Sequence, residues 1–311
     1  LESHFNFQPL TLDALALYNR LTRNMYLESA DLSFVNLFIW RHAHQLRYTV
    51  HNGFFIPYCN YKGSIFFMTP VGGPREEFVT LCDELAAYSG SAGHPFKIMT
   101  VPEETACLVL KEASGRYKTL PERGNWDYLY RTEDLLELKG RKYQQKRNQI
   151  HKFQKQYKYE YIPLLPPLEP ALIAACLDLF DRWAEPKKDL LSPEEERRAL
   201  KEALENMEPL GLKGGALLVE GKFEAFSIGS LLNEETQAPI ALIHFEKANP
   251  EIAGIYPAIN QLFLANAWKD TVYVNRENDM GLPGLRQAKK RYHPVRMVKK
   301  HTIVARQEES R

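Results

Sequence analysis

Residues 239–294 read PIALIHFEKANPEIAGIYPAINQLFLANAWKDTVYVNRENDMGLPGLRQAKKRYHP, and this stretch decides the fold. It alternates strand, loop, helix, strand, loop, helix. Residues 240–245 form a short apolar run that ends in charge at Glu246 and Lys247. After the loop 248–254, Pro257 stands in the first turn of a helix, where a missing N–H costs nothing. Ile259, Leu262 and Phe263 follow at the i, i+3, i+4 spacing of a helix that buries one face. A second apolar run, Val272–Val274, again ends in polar residues: Asn275, Arg276, Glu277 and Asp279. Two strands joined by one helix predict a parallel pair with a right-handed crossover, which puts both polar strand ends on one edge. Open α/β sheets bind ligands beyond the carboxyl ends of their strands, so that edge is the expected site.

One residue in the stretch breaks the pattern. A helix over 283–292 opens with Pro283 and sets Leu285, Ala288 and Tyr292 on one stripe at ~100° per residue. Lys289 falls inside that stripe, whereas Arg286 and Lys290 point away. A lysine rarely goes inside unpaired. Either its stem packs while the ammonium snorkels outward, or the cation is held over the site with Glu246, Glu277 or Asp279 as partner.

Outward from this stretch, one order of elements occurs twice. The first half reads as helices at 11–23 and 33–43, strands at 46–50, 53–58 and 64–68, a helix at 75–88, a strand at 96–101, a helix at 103–114, and strands near 117–120 and 126–131. Asn52-Gly53 between the first two strands is a strong hairpin signal. Gly72-Gly73-Pro74 reads as a plain turn rather than a phosphate cradle. The second half has helices at 168–183 and 193–206, strands at 215–220, 222–231 and 239–246, then the opening stretch and a final strand near 295–304. The expected fold class is therefore α/β (α+β): two tandem domains, 1–138 and 160–311, each a mixed sheet flanked by helices, with an inter-domain helix within 139–159.

Bulk composition fits that reading. At 311 residues, 44% hydrophobic and 25% charged, the chain is an ordinary globular protein of two-domain size. No apolar run approaches the ~20 residues that span a bilayer, and the opening LESHFNFQPL lacks the layout of a secretory signal. Cys59, Cys82, Cys107 and Cys176 are scattered and read as reduced thiols of a cytoplasmic protein. The histidines form no metal-ligand set; His42 and His44 would point apart on a helix.

A net charge of +1 hides strong segregation. Residues 139–158 hold eight Lys/Arg and no acid, residues 280–306 hold eight more and no acid, and the rest has 24 basic against 39 acidic residues. Segregation of this kind points to an anionic partner. Within GRKYQQKRNQIHKFQKQYK, a helix from Arg141 places Tyr143, Ile150, Phe153 and Tyr157 on one side. Arg141, Arg147, His151, Lys152, Lys155 and Lys158 lie opposite and form a candidate nucleic-acid-binding face, with membrane headgroups as the other anionic surface it would suit. Solvated helices usually mix charge signs to gain i, i+4 pairs, and this one does not.

The strings IHFEKA, GIYPAINQ and NRENDMGLPGLRQAKKRYHP resemble the C-terminal, catalytic part of phosphatidylglycerol lysyltransferases, and more closely the soluble proteins that share this domain. The resemblance is strongest over residues 139–303. It implies two fused GNAT-type acyltransferase folds, an arrangement also found in Fem-type aminoacyltransferases, and aminoacyl-tRNA rather than CoA as the donor. The residues agree on the donor. An acetyl-CoA-dependent GNAT domain holds pyrophosphate on bare N–H groups at a helix start, but ANPEIAGIYP offers one glycine and an acid, Glu251.

Transfer from an aminoacyl ester to a lipid, peptide or small amine needs orientation, charge stabilisation and proton handling. It needs no enzyme nucleophile, cofactor or metal. The expected roles are Lys289 at the developing oxyanion, Asp279 or Glu277 on the aminoacyl ammonium, and Glu246 with His244 on the same strand face at the acceptor proton. Arg276 is placed at the terminal phosphates, and Asn275, Tyr256 and Tyr292 complete the substrate-binding set. An N-cap is the competing explanation for Asp279. Two alternatives stand beside this function: a CoA-dependent N-acyltransferase, and a non-catalytic RNA-binding or regulatory protein with the same fold.

Overall fold

The computed structural model describes residues 5–187 and 193–306. The chain forms two compact units. Unit 1 is Leu1–Asp127, Asn278–Leu282 and Val298–Arg311; unit 2 is Tyr128–Glu277 and Pro283–Met297.

Unit 1 opens with β1 (Gln8–Pro9), α1 (Ala14–Thr22) and α2 (Phe34–Ile39), and the Ser33 hydroxyl caps α2 by accepting from the Asn36 N–H. Strands β2 (Arg47–His51), β3 (Phe54–Tyr61) and β4 (Ser64–Met68) form antiparallel hairpins. Asn52 and Gly53 both take positive φ, 48° and 78°, as a type I′ turn demands. Then come α3 (Phe78–Ser91), β5 (Lys97–Pro102), parallel to β4, α4 (Glu103–Ala113) and β6 (Tyr117–Pro121). Phe54, Ile56, Phe67, Leu85, Ile98 and Val109 are among the residues that fill the core between sheet and helices.

Unit 2 begins with β7 (Asp127–Arg131), α5 (Thr132–Glu137), α6 (Gln144–Gln156) and β8 (Tyr159–Leu164). It continues through α7 (Pro170–Ala184), α8 (Pro193–Glu205), β9 (Lys213–Val219), β10 (Lys222–Leu232) and β11 (Ile240–Ala248). It ends with α9 (Ile255–Ala267), β12 (Tyr273–Asn275), α10 (Pro283–Lys290) and β13 (Arg296–Val298). Strands β11 and β12 pair in parallel across α9, as the opening stretch requires. The sheet order is β13-β7-β12-β11-β10-β9-β8.

The expected final strand is in fact two strands that part company at Lys299. β13 joins the sheet of unit 2, whereas β14 (Lys300–Ala305) inserts between β5 and β6 in unit 1. Residues 128–138 and the basic helix α6 belong to unit 2. The units are thus not the contiguous blocks 1–138 and 160–311. Alternating hydrophobicity says that a segment needs a sheet, but not which sheet. The weakly alternating β8 and the short α5 have no counterpart in the sequence reading.

The return of the chain to unit 1 is fastened by charge. Lys300 is fully buried; its Nζ donates to Asp127 Oδ1 at 2.7 Å and to Asp31. The other Asp127 oxygen accepts the Ala30 N–H at 2.8 Å. Burial alone would lower the lysine pKa, but Asp127 and Asp31 outweigh it and hold the ammonium charged well above the usual lysine range.

Lys300→Met should cost about 3–5 kcal/mol of stability, the scale of stranding one member of a buried ion pair. Adding Asp127→Asn, which keeps an acceptor for Ala30, should recover part of the loss. Because the folded pKa is raised, the stabilisation is complete below about pH 10 and falls away as pH climbs through the folded value. Denaturant titration of both variants checks this, and a single variant as stable as wild type would refute it.

Candidate active site

The carboxyl ends of β11 and β12 meet in unit 2, and a bulge decides what they present. Phe245 pairs with Ile228 and Ile243 with Gly229, which leaves His244 as an extra residue. A bulge re-aims the side chains that follow it. Ile243 and Glu246, three apart, therefore both address α9, the first through the Phe263 cluster and the second through Asn260. His244 turns to the opposite face, where Nε2 lies 2.8 Å from the Ser230 hydroxyl. The expected sharing of one face by Glu246 and His244 is thus corrected: strict alternation holds only in an unbulged strand.

On the α9 face, Glu246 is already occupied. Its Oε1 accepts from Arg276 Nη2 at 2.7 Å and its Oε2 from Asn260 Nδ2 at 2.9 Å. The Arg276 guanidinium stacks on Tyr292, 4.6 Å from the ring centroid, and burial pushes the Tyr292 hydroxyl up to about 12. On the other face, Glu277 Oε1 lies 3.6 Å from His244 Nδ1. Nearby, Lys247 pairs with Glu196 at 2.7 Å and sits 3.4 Å above the Trp183 ring. Burial lowers the Lys247 pKa against the pull of Glu196.

Several expected site residues have other partners. Lys289 Nζ donates to the backbone carbonyls of Arg276 and Glu277, which fixes the turn after β12. Asp279 belongs to unit 1, where it is fully buried; it accepts from Arg123 at 3.2 Å and from the Gly281 N–H at 2.9 Å. It caps a turn rather than facing a ligand. Asn275 is buried too, and its Oδ1 accepts the Glu277 N–H at 2.7 Å. Tyr256 donates to the Ala248 carbonyl at 3.1 Å and accepts from Trp183 Nε1 at 2.9 Å. In α10 the stripe is shallower than expected: Ala288 is exposed, and the buried Tyr292 lies just past the helix end.

The basic helix divides as its periodicity requires. Tyr143, Ile150 and Phe153 are buried, whereas Arg141, His151, Lys152, Lys155 and Lys158 are exposed. Arg147 is the exception: its Nη1 donates to the carbonyls of Leu138 and Gly140, the latter at 2.8 Å, so it clamps the turn before α6. Arg141, Lys142 and Lys152 line an open basin of about 520 Å³ with four side-chain amides, Gln145 and Asn148 among them. The sequence reading passed over Lys146, which turns inward to sit 4.0 Å over the Tyr292 ring.

The start of α9 is where a GNAT-type domain would hold pyrophosphate, and here it is filled from within. Asn249 Oδ1 accepts the Glu251 N–H at 3.0 Å, and the Asn249 carbonyl accepts the Ile252 N–H at 3.3 Å. The Ile255 N–H donates to Ile252. Gly254, at φ +86°, lies against α6 so closely that a Cβ would stand 2.3 Å from the Gln149 carbonyl oxygen. A carbonyl oxygen against the positive end of α9 takes the place an anion would use. CoA does not fit these residues.

Two α/β units, each with a parallel central pair bridged by a helix, make the protein one of the tandem GNAT-type folds. A tandem GNAT protein from the clavulanic acid biosynthesis pathway, solved without AcCoA, matches with TM-score 0.52 at 10% identity, over 96% of this chain and 98% of that one. L-PGS from Bacillus licheniformis matches with TM-score 0.69 at 13% identity, over 97% and 93% of the two chains. A conserved protein of unknown function from Bacteroides thetaiotaomicron VPI-5482 reaches TM-score 0.87 at 32% identity, over 96% and 99%. Residues 23–304 match the family described as Phosphatidylglycerol lysyltransferase, C-terminal, and the chain belongs to that family. No curated protein matches the chain. Among the described residues, no helix is long and apolar enough to cross a membrane.

Lys289→Met keeps the stem but removes the donor to two carbonyls. It should cost about 1–2 kcal/mol, the scale of a charged hydrogen bond at a half-buried site, and raise amide exchange across residues 275–278. Lys290→Met, on the exposed side of α10, should do neither. Thermal unfolding with hydrogen exchange compares the two, and identical behaviour would dismiss the clamp.

Proposed function

We propose that the protein transfers an amino acid from aminoacyl-tRNA to a lipid, peptide or small amine. The observation that carries the reading is the closed start of α9, set beside the acid-free outer face of α6. With the Glu251, Ile252 and Ile255 amides bonded internally and the Gln149 carbonyl against Gly254, the usual pyrophosphate position offers an anion few bare donors. The exposed cations of α6 offer a phosphodiester backbone what the loop cannot.

An aminoacyl ester is already activated, so the chain has only to orient and neutralise. The acceptor nitrogen or oxygen attacks the ester carbonyl, and the bond to the ribose oxygen breaks. The acceptor's proton passes to His244 and then to the departing ribose oxygen. Glu277, beside the His244 ring at 3.6 Å, orients the imidazole and draws the aminoacyl ammonium. The Glu246–Arg276 pair, at 2.7 Å, keeps the opposite face rigid. Asp279, Asn275 and Lys289 have structural partners and take no part in the chemistry.

Three measurements test the reading. Acetyl-CoA should bind more weakly than low micromolar, about −8 kcal/mol, in calorimetry. Charged tRNA should raise the melting temperature more than uncharged tRNA. Lys152→Glu with Lys155→Glu should weaken tRNA binding without unfolding the protein, and wild-type affinity should fall with salt at a log–log slope of about −0.7 to −0.9 per phosphate neutralised. Tight acetyl-CoA binding would replace the reading with CoA-dependent acyl transfer. An equal response to any RNA would replace it with non-catalytic RNA binding.

A further inference from the structure

Lys146 of α6 turns away from the basic face and sits over the Tyr292 ring, with Nζ 4.0 Å from the centroid. Its Nζ has no hydrogen bond or ion pair among the described residues. The opposite charge it feels is Glu246, whose two oxygens are already taken by Arg276 and Asn260. Arg276 and Arg291 act on it as like charges. Over the Tyr292 ring the balance is two cations, Lys146 and Arg276, to one carboxylate, Glu246.

A second deficit lies on the same ring. Arg276 stacks on Tyr292, gives Nη2 to Glu246, and leaves Nη1 buried with no hydrogen-bond partner. Buried donors are almost always paired, and each exception calls for a ligand, a water or a role. Like charges gathered at a half-buried place repel by more than they would in water. They persist where an anion completes the site.

We infer that Lys146 and Arg276, both over the Tyr292 ring, form a receptor for a phosphate oxyanion. The donor count selects phosphate over carboxylate. Arg276 has one guanidinium nitrogen to offer rather than a two-pronged fork, so it cannot make the planar bidentate grip that favours a carboxylate. An ammonium and a single guanidinium nitrogen, coming from separate side chains, suit an anion whose oxygens point in several directions. Tyr292 fixes the cations by stacking; its hydroxyl, pushed up to about 12 chiefly by burial, stays protonated and adds no charge. Until the anion arrives, burial and then the repulsion of Arg276 hold the Lys146 amine down to about 8, against the opposing pull of Glu246. The site stands apart from the outer face of α6 and does not depend on an RNA donor.

Calorimetry on the full chain with inorganic phosphate tests the receptor. Adenosine 5′-monophosphate and glycerol 3-phosphate serve as parallel arms that tell a nucleotide source from a headgroup source. Wild type should bind phosphate, and Lys146→Met should weaken it about tenfold or more, the loss of one charge-assisted contact. Lys269→Met, an exposed lysine of unit 2, should leave binding unchanged. A second readout needs no variant: in protein with 13C-dimethylated lysines, phosphate should move the Lys146 resonance to a higher apparent pKa. Unaltered phosphate affinity in Lys146→Met, or a Lys146 titration indifferent to phosphate, would overturn the receptor. Phosphate binding without aminoacyl transfer would leave it standing and defeat only the donor assignment.

Discussion

Everything in unit 1 that comes from the end of the chain is held by a lysine that cannot reach water. β14 begins 173 residues after Asp127, yet it pairs with both β5 and β6. Loop closure over such a distance carries a real entropic cost, and strand pairing alone is a weak specifier of which sheet takes a free strand. Lys300 supplies the discrimination. With Asp127 and Asp31 in place its charge is satisfied; in any other register a buried ammonium would stand unpaired. A buried ion pair is poor evidence of net stability, because desolvation offsets attraction. Specifying a register is the better-attested use of such a pair.

In unit 2 the equivalent constraint is geometric. One extra residue at His244 sends the histidine and the following acid to opposite faces of one strand. The two faces then differ in kind. Around Glu246 the carboxylate is bound on both oxygens, so it has no free oxygen with which to take a proton. Around His244 stand a hydroxyl at 2.8 Å and a carboxylate at 3.6 Å, groups between which an imidazole can relay a proton. This contrast moves the proposed proton transfer from Glu246 to His244.

Periodicity and turn chemistry made the fold largely legible. Asn52-Gly53, the run at 240–245, Pro257 and Pro283 each name a local structure that only a few residue types adopt. What stayed hidden was pairing. Lys299 separates two strands of different sheets, and no pattern within 295–304 announces it. The same limit governed the site. The sequence puts Arg276, Glu277, Asp279 and Lys289 in one neighbourhood, but it does not say that Arg123, 156 residues away, claims Asp279. Nor does it say that Lys289 serves carbonyls. Lys146 escaped notice because it sits in a run of eight cations where only a three-dimensional neighbour, Tyr292, sets it apart.

The closed start of α9 links these observations into one argument about anions. A helix N-terminus attracts negative charge because its first N–H groups lack partners. Here Asn249 takes the loop amides of Glu251 and Ile252, Ile252 takes the first amide of the helix, Ile255, and Gly254 lets the Gln149 carbonyl approach where any side chain would hold it off. Backbone recognition of phosphate is thereby exchanged for recognition by side chains. Backbone amides hold a compact pyrophosphate at one point, whereas long cationic side chains on a helix surface follow an extended, flexible polyanion. The helix that closes the loop, α6, is the one that carries those cations. On the proposed reading, blocking one kind of donor and receiving another would be two faces of a single helix: the Gln149 carbonyl lies toward Gly254, and Lys152 and Lys155 toward solvent.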